Sequence, residues 1–343
     1  MGTETIKEAV KFPNIWETAV DAGDFIKMDL HPRQTIIYPW LRESSLVMIY
    51  ADRGTGKTWF GISLALSIVT GVSIGKWNIE NPVGVLYVDG EMAADEMQDR
   101  MRKISFGLPP QLAPLKFLSS DLLHQKNYLS VNINNSLWRK RIYDALAEQK
   151  EIKVLILDNL SCLTPGIDEN DKEAWDAINQ WLISLRFLGV AVIFLHHSGK
   201  SGKQRGTSGR EDALDIVINL SAPPGYLPKD GANFIVSFEK ARGVCGDSLS
   251  PFTFCISENT DSHLIWITDV YTSSSKKEIV ISLLGNGTEP SQIITLVKCS
   301  KQNVSKHKTW AIKNGYLSSD SESGVCTFTE KGREKYAVDL INI

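Results

Sequence analysis

Ser45-Leu-Val-Met-Ile-Tyr50, an apolar run, leads into Ala51-Asp-Arg-Gly-Thr-Gly-Lys-Thr58 and then into a stretch to Thr70 in which Phe60, Leu64 and Ile68 recur at helical spacing. A buried strand, a glycine-bearing turn and a helix in that order are the setting of the phosphate loop G-x-x-x-x-G-K-[ST]. Such a turn gathers backbone N–H groups around an anion, and Gly54 and Gly56 allow the close approach because they carry no side chain. Lys57 would reach the β- and γ-phosphates, and the Thr58 hydroxyl would ligate Mg²⁺. Ala51, Asp52, Arg53, Gly54, Thr55, Gly56, Lys57, Thr58 and Trp59 are therefore the candidate nucleotide contacts. Ala51 departs from the pattern's first glycine, and alanine would be strained there if the position required a positive φ.

Working outward, short β-rich runs alternate with helical stretches. Gly84–Val88, Lys153–Leu157, Gly189–Leu195, Leu214–Leu220, Asn233–Phe238 and Phe252–Ile256 are predicted strands; Ala93–Ile104 and Ala174–Leu188 are predicted helices, the latter carrying Trp175, Ile178, Trp181, Leu182 and Leu185 on one stripe. Strands apolar on both faces that alternate with helices define an α/β fold with a mainly parallel sheet. Residues 1–35 show little periodicity and are expected to form an arm, residues 36–270 the α/β domain, residues 271–275 (Tyr-Thr-Ser-Ser-Ser) a linker, and residues 276–343 a small second domain.

The composition, 43% hydrophobic and 22% charged, is globular and excludes collagen-like, coiled-coil and wholly disordered chains. No apolar run approaches the ~18–20 residues of a membrane span, and the N-terminus lacks a secretory apolar stretch. Five cysteines, an odd number without a C-x-x-C pair, argue against a disulfide framework or zinc site and for a reducing cytoplasm. The net charge of −3 conceals an asymmetry: seven lysines against two acids between Lys276 and Leu317 give that stretch +5. A basic appendage on an acidic body fits a nucleic-acid contact, although a solvated lysine face has the same charge.

A hydrolytic nucleotide site also needs an acid for magnesium and a base for water. Asp158 ends the strand Val154-Leu-Ile-Leu-Asp158, and Glu91 follows the strand in Leu86-Tyr-Val-Asp-Gly-Glu91, with Asp89 competing for the same role. The succession of phosphate loop, Asp89-Gly-Glu-Met92, Asp158-Asn-Leu160 and Phe194-Leu-His-His197 resembles the RecA-like ATPases, and most of all the hexameric replicative helicases of the plasmid RepA type and their mobile-element relatives. The likeness covers about residues 36–270 and is carried further by Lys200–Arg210 and Phe238-Glu-Lys-Ala-Arg-Gly243. It implies ATP as substrate, Glu91 as catalytic base, Asp158 at the magnesium site, and His196 or His197 as the sensor of the γ-phosphate. It also implies that Lys240 and Arg242 reach into a neighbouring subunit's nucleotide. The basic segment bearing Lys200, Lys203, Arg205 and Arg210 among glycine and serine would then line a ring channel and follow a phosphate backbone.

In the C-terminal region, Lys277–Leu284, Ser291–Lys298 after Pro290, and Lys301–Asn314 are predicted helices; Tyr316-Leu317 and Val325–Phe328 are predicted strands around a polar turn. This order resembles the winged-helix DNA-binding module. Lys301, Gln302, Asn303, Ser305, Lys306 and Lys308 fall on its recognition helix as phosphate and base-edge donors. Together the readings predict an ATP-dependent DNA helicase or translocase, with single-stranded DNA in a homohexameric ring and duplex at the winged helix. The alternatives are an ATP-switched DNA-binding regulator, or a recombination or defence ATPase that unwinds nothing.

Overall fold

The computed structural model describes residues 14–166, 172–198, 213–223, 226–227, 231–260, 263–271, 276–297, 299–320 and 324–336. The expected linker residues 272–275 and the basic segment 200–210 lie outside them. The chain divides into two compact units, residues 1–34 and 35–343. In the first, the expected arm holds two short helices, α1 (Ile15–Thr18) and α2 (Ala22–Lys27). Asn14 and Asp21 cap them by accepting from the backbone N–H of Trp16 and Gly23.

The second unit opens with β1 (Thr35–Tyr38) and β2 (Leu41–Arg42), which join β4 (Asn78–Ile79) in a small antiparallel sheet. Between them run β3 (Leu46–Ala51), buried along its whole length, and α3 (Lys57–Thr70). There follow β5 (Gly84–Asp89), α4 (Ala94–Ser105), β6 (Leu115–Ser119), α5 (Ser120–Gln125), α6 (Ser136–Glu148), β7 (Ile152–Asp158), α7 (Leu160–Leu163), α8 (Lys172–Phe187) and β8 (Ala191–His197). Then come β9 (Ile216–Ser221), β10 (Asn233–Ala241), β11 (Phe252–Glu258) and β12 (Leu264–Val270). Among the described residues the main sheet has nine strands in the order β12-β11-β10-β9-β3-β8-β7-β5-β6. The run from β9 to β6 is parallel, and β10, β11 and β12 extend it antiparallel.

Burial on both faces explains why the central strands are legible as uninterrupted apolar runs. One face packs on α3, where Phe60 meets the rings of Trp77, Phe234 and Phe254 at centroid distances of 5.1–6.2 Å. Burying a ring of that size contributes about 1.5–3 kcal/mol. The other face packs on α8 through Trp175, Ile178, Leu182 and Leu185, as the stripe predicts. The edge elements β6 and β12 are invisible to a search for buried runs, because their residues are mostly half-exposed.

The chain ends in α9 (Lys276–Gly285), α10 (Pro290–Val297), α11 (Lys301–Lys313), β13 (Leu317–Ser319), β14 (Cys326–Phe328) and α12 (Glu330–Tyr336). The three predicted helices and two predicted strands fall within a residue or two of these; α12 was not anticipated. A separate apolar cluster, including Val280, Ile281, Ile293, Val304, Ala311 and Leu317, holds them together. Gly332 is required there: a β-carbon on it would sit 1.9 Å from the Tyr316 carbonyl oxygen, so only glycine lets α12 approach so closely.

Candidate nucleotide site

Parity along each parallel strand decides which side chains share the α3 face. Ile49 and Ala51, Tyr87, Ile156, and Ile193 and Leu195 belong to the α3-side core, so Asp89, Asp158 and His197, each an even step further, point the same way. Their strands end beside the turn between β3 and α3.

Ala51 is the last residue of β3, paired with His197 and Leu220. Its backbone is extended, so the strain that alanine threatened does not arise. The left-handed positions are Gly54 (φ 79°) and Gly56 (φ 112°). A β-carbon on Gly56 would lie 3.0 Å from the Phe234 ring and 3.1 Å from the Ala232 β-carbon. Next to the turn, the Ser198 N–H donates to the Ala51 carbonyl at 2.9 Å, and the Ser198 hydroxyl donates to the Asp52 carboxylate. These bonds tie the end of β8 to the loop. Lys57 is buried, its Nζ donating to the carbonyls of Ala51 (3.2 Å) and Asp52 (3.1 Å). Burial lowers its pKa to about 8, against the opposing pull of Asp158, Glu91 and Asp52. The ring of Trp59, the last of the expected nucleotide contacts, packs on the core with the Arg100 guanidinium 4.8 Å over it.

Asp158, 1% exposed, accepts a hydrogen bond from Tyr87 Oη at 2.7 Å and another from the Thr58 side chain. Burial raises its pKa, and those two bonds hold it down. Hydroxyl and carboxylate thus already face each other. Among the described residues no group of three or more His, Cys, Asp or Glu could cage a metal. One carboxylate and one hydroxyl suit Mg²⁺ held jointly with phosphate oxygens and water. Glu91 is exposed, with one carboxylate oxygen accepting from the Asn159 amide.

Asp89, the competitor, is turned inward, accepting from the Met92 N–H at 3.2 Å. Burial, and then the neighbouring Asp158, raise its pKa to about 7. A folded-state pKa above the unfolded value means that folding takes up a proton between about pH 4 and 7, so this group erodes stability as pH rises through that window. Asp89→Asn keeps the acceptor and removes the charge. It is expected to stabilise the protein by roughly 2 kcal/mol at pH 8 and by little at pH 4, as urea unfolding at the two pH values would reveal.

The two histidines separate. His196 is 1% exposed and lies alongside Tyr50, whereas His197 pairs with Ala51 and has Nε2 3.3 Å from the Asn159 amide nitrogen. Only His197 borders the loop. Lys240 and Arg242 sit at the other end of the sheet. The Arg242 N–H donates to the Asp215 carbonyl, and the Asp215 N–H to that of Leu46, both at 2.9 Å, at the start of β3. The length of β3, ~20 Å at 3.3 Å per residue, separates Arg242 from its own phosphate loop. Arg242 also lies just past the end of β10 rather than on it.

Several contributors were not legible in the sequence. A cavity of about 360 Å³ adjoins the loop, lined by Asp52–Thr55, Ser198, Asn219–Ala222 and Tyr226. The β9 side of it could have been inferred only from the β3–β9 pairing. In the C-terminal region Lys301, Gln302, Ser305 and Lys306 line a groove of about 850 Å³, which Thr309, Trp310 and Lys313 complete. Asn303 is exposed but outside that lining, and Lys308 turns aside to donate to the Gly324 carbonyl at 2.8 Å. Lys200, Lys203, Arg205 and Arg210 lie outside the described residues.

A phosphate loop at the carboxyl edge of a mainly parallel sheet, with its lysine, its hydroxyl and a strand-end aspartate converging, defines a P-loop ATPase of RecA-like fold. The chain belongs to the AAA domain family, whose sequence profile it matches over residues 8–203. No curated protein matches it. Among solved structures it is similar to a KaiC-like protein, PH0186, from the hyperthermophilic archaeon Pyrococcus horikoshii OT3, at 17% identity and a TM-score of 0.47, covering 69% of this chain and 99% of that one. It is likewise similar to the flagellar accessory protein FlaH from Methanocaldococcus jannaschii, at 15% identity and a TM-score of 0.44, covering 66% and 90%. No helix among the described residues is long and apolar enough to cross a membrane.

Proposed function

We propose that the protein is an ATP-driven DNA motor, a helicase or translocase that works as a ring of identical subunits, of the kind that replicates a plasmid, phage or integrated element. The observation that carries this reading is the division of the site between opposite edges of one sheet. Lys57, Thr58, Glu91, Asp158 and His197 gather at the carboxyl edge, while Arg242 lies a strand length away at the amino edge. A cation so placed can assist hydrolysis only in another copy, and a head-to-tail interface repeated around an axis closes into a ring.

In this reading the loop amides and Lys57 hold the phosphates, and the cavity beside Tyr226 takes the nucleoside. Thr58 and Asp158 would hold Mg²⁺, which when bound neutralises phosphate charge. Glu91 takes the proton from the attacking water, and His197 reports the γ-phosphate. The C-terminal helices and strands act as a winged helix that holds duplex DNA along the α11 groove, whose Lys301, Lys306 and Lys313 offer charge and whose Trp310 offers a ring.

The test is ATP turnover with and without single-stranded DNA, run beside displacement of a labelled strand. Turnover is expected to rise at least about tenfold with DNA, and the strand to be released. Alanine at Lys301, Lys306 and Lys313 together should weaken duplex binding about 10–100-fold and flatten its salt dependence, with DNA-free turnover unchanged. Tight duplex binding with neither stimulation nor displacement would instead identify an ATP-switched regulator.

A further inference from the structure

We propose that the far end of α11 forms a second nucleic-acid site, one for the unpaired strand that adjoins the duplex. The site rests on the reading of the C-terminal region as a winged helix on duplex DNA, and it accounts for a side chain that a duplex leaves without work. α11 runs for 13 residues, about 20 Å at 1.5 Å per residue, whereas the major groove is about 12 Å wide. A recognition helix meets base edges with its N-terminal residues. Lys301, Gln302 and Ser305 can therefore enter the groove while Trp310, about two and a half turns after Lys301, stands outside it. Paired bases are stacked on one another and present only their edges. An indole has a use where a base is unpaired and needs a ring to stack on.

The rings and charges around Trp310 suit that partner. Trp310 lines the α11 groove and stacks on Tyr316, with centroids 5.7 Å apart and planes 19° from parallel, and Tyr336 braces Tyr316 edge-on at 5.1 Å. Three ammonium groups stand on these rings: Lys277 lies 3.0 Å from the Trp310 centroid, and Lys331 and Lys335 lie 4.7 Å and 5.2 Å from that of Tyr316. Among the described residues every ion pair falls between residues 43 and 215, so these charges rest on rings rather than on carboxylates. His307 feels the same field: burial, then Lys277 and Lys306, push its pKa down. Lys306 lines the duplex groove, so the two sites are continuous in charge. Cations interleaved with aromatic rings grip a single strand through its phosphates and its bases, without regard to sequence. Binding proceeds by exchange. A base takes the indole face that Lys277 covers, and the ammonium, on its flexible stem, turns to that nucleotide's phosphate.

The probe is a labelled duplex, either blunt or carrying a short oligothymidylate tail on one strand or the other, titrated with the full-length protein in the absence of ATP. A tail on at least one strand is expected to tighten binding about tenfold, the gain that one stacked base supplies, and to steepen the salt dependence. Trp310→Ala should bring the ratio of tailed to blunt affinity to about one, and Trp310→Phe should restore most of it. Lys331 and Lys335 are exposed on α12. Their double replacement, Lys331→Ala with Lys335→Ala, should leave blunt-duplex affinity within about twofold, lower the ratio to about threefold and remove the tail's extra salt dependence. A tail gripped elsewhere in the protein would keep its ratio in both variants. A wild-type ratio near one, or a wild-type ratio in either folded variant, therefore overturns the site. Failure of the wild type to bind blunt duplex overturns the winged-helix reading itself, and the second site with it.

Discussion

Lys57→Ala should hydrolyse ATP at least about 10³-fold more slowly than the wild type, a loss of roughly 4 kcal/mol of transition-state stabilisation. The magnitude reflects where the ammonium sits. It is buried, anchored by the Ala51 and Asp52 carbonyls, and faces Asp158 and Glu91 across the site. A preorganised cation shielded from water acts on developing phosphate charge far more strongly than one in solvent. Burial also makes the residue a proton sensor. With its pKa near 8 before phosphate arrives, Lys57 is partly neutral at mildly alkaline pH, and a triphosphate draws the proton back. Nucleotide affinity should therefore fall as pH rises above about 8, by up to tenfold per unit, until the pKa of the bound state is reached. Titration with a fluorescent ATP analogue between pH 7 and 9.5 would measure this. Lys57→Ala should lose the dependence together with turnover. A profile flat in the wild type, or equally steep in both proteins, would remove Lys57 from contact with the phosphates.

The sequence made the site's chemistry legible where it is local and obscured it where it depends on register. The helix Lys57–Thr70 was read with its true ends because Gly56 and Gly71 both adopt left-handed conformations that only glycine takes cheaply. Asp158 and Glu91 stand out in the sequence because each acid ends or closely follows an apolar strand. The choice between His196 and His197 remained open, since neighbours on a strand differ only in the face they present, and which face holds α3 is a tertiary fact. The Tyr87–Asp158 bond and the contacts of the Asn159 amide with Glu91 and His197 were hidden for the same reason: each joins residues that only the strand order brings together. The helical repeat places Lys308 on the face of Lys301, but its ammonium is held by the Gly324 carbonyl, a contact between α11 and the segment before β14 that the helical pattern does not show. The packing of the Trp59 ring under Arg100 was not legible, because motif adjacency says nothing about a residue on the next helix.

Arg242→Ala should lose about 10³-fold in turnover and, mixed with Glu91→Gln, should recover part of it. The loss is that expected for an arginine finger, whose planar donors meet charge developing on the γ-phosphate. The recovery follows from geometry. Some 20 Å of sheet keeps Arg242 from its own loop, so in the proposed ring each complete site would take Glu91 from one copy and Arg242 from the next. In an equimolar ring assembled at random, an intact Glu91 is followed by an intact Arg242 at about one interface in four, and turnover should approach a quarter of the wild-type rate if sites act independently. Each variant alone has no intact interface. Subunits must exchange before assay, which incubation at low concentration without nucleotide would promote. Recovery should then follow the product of the two fractions, peaking at equal amounts. A mixture no more active than the sum of its parts would confine Arg242 to its own subunit, where the fold gives it no phosphate to reach.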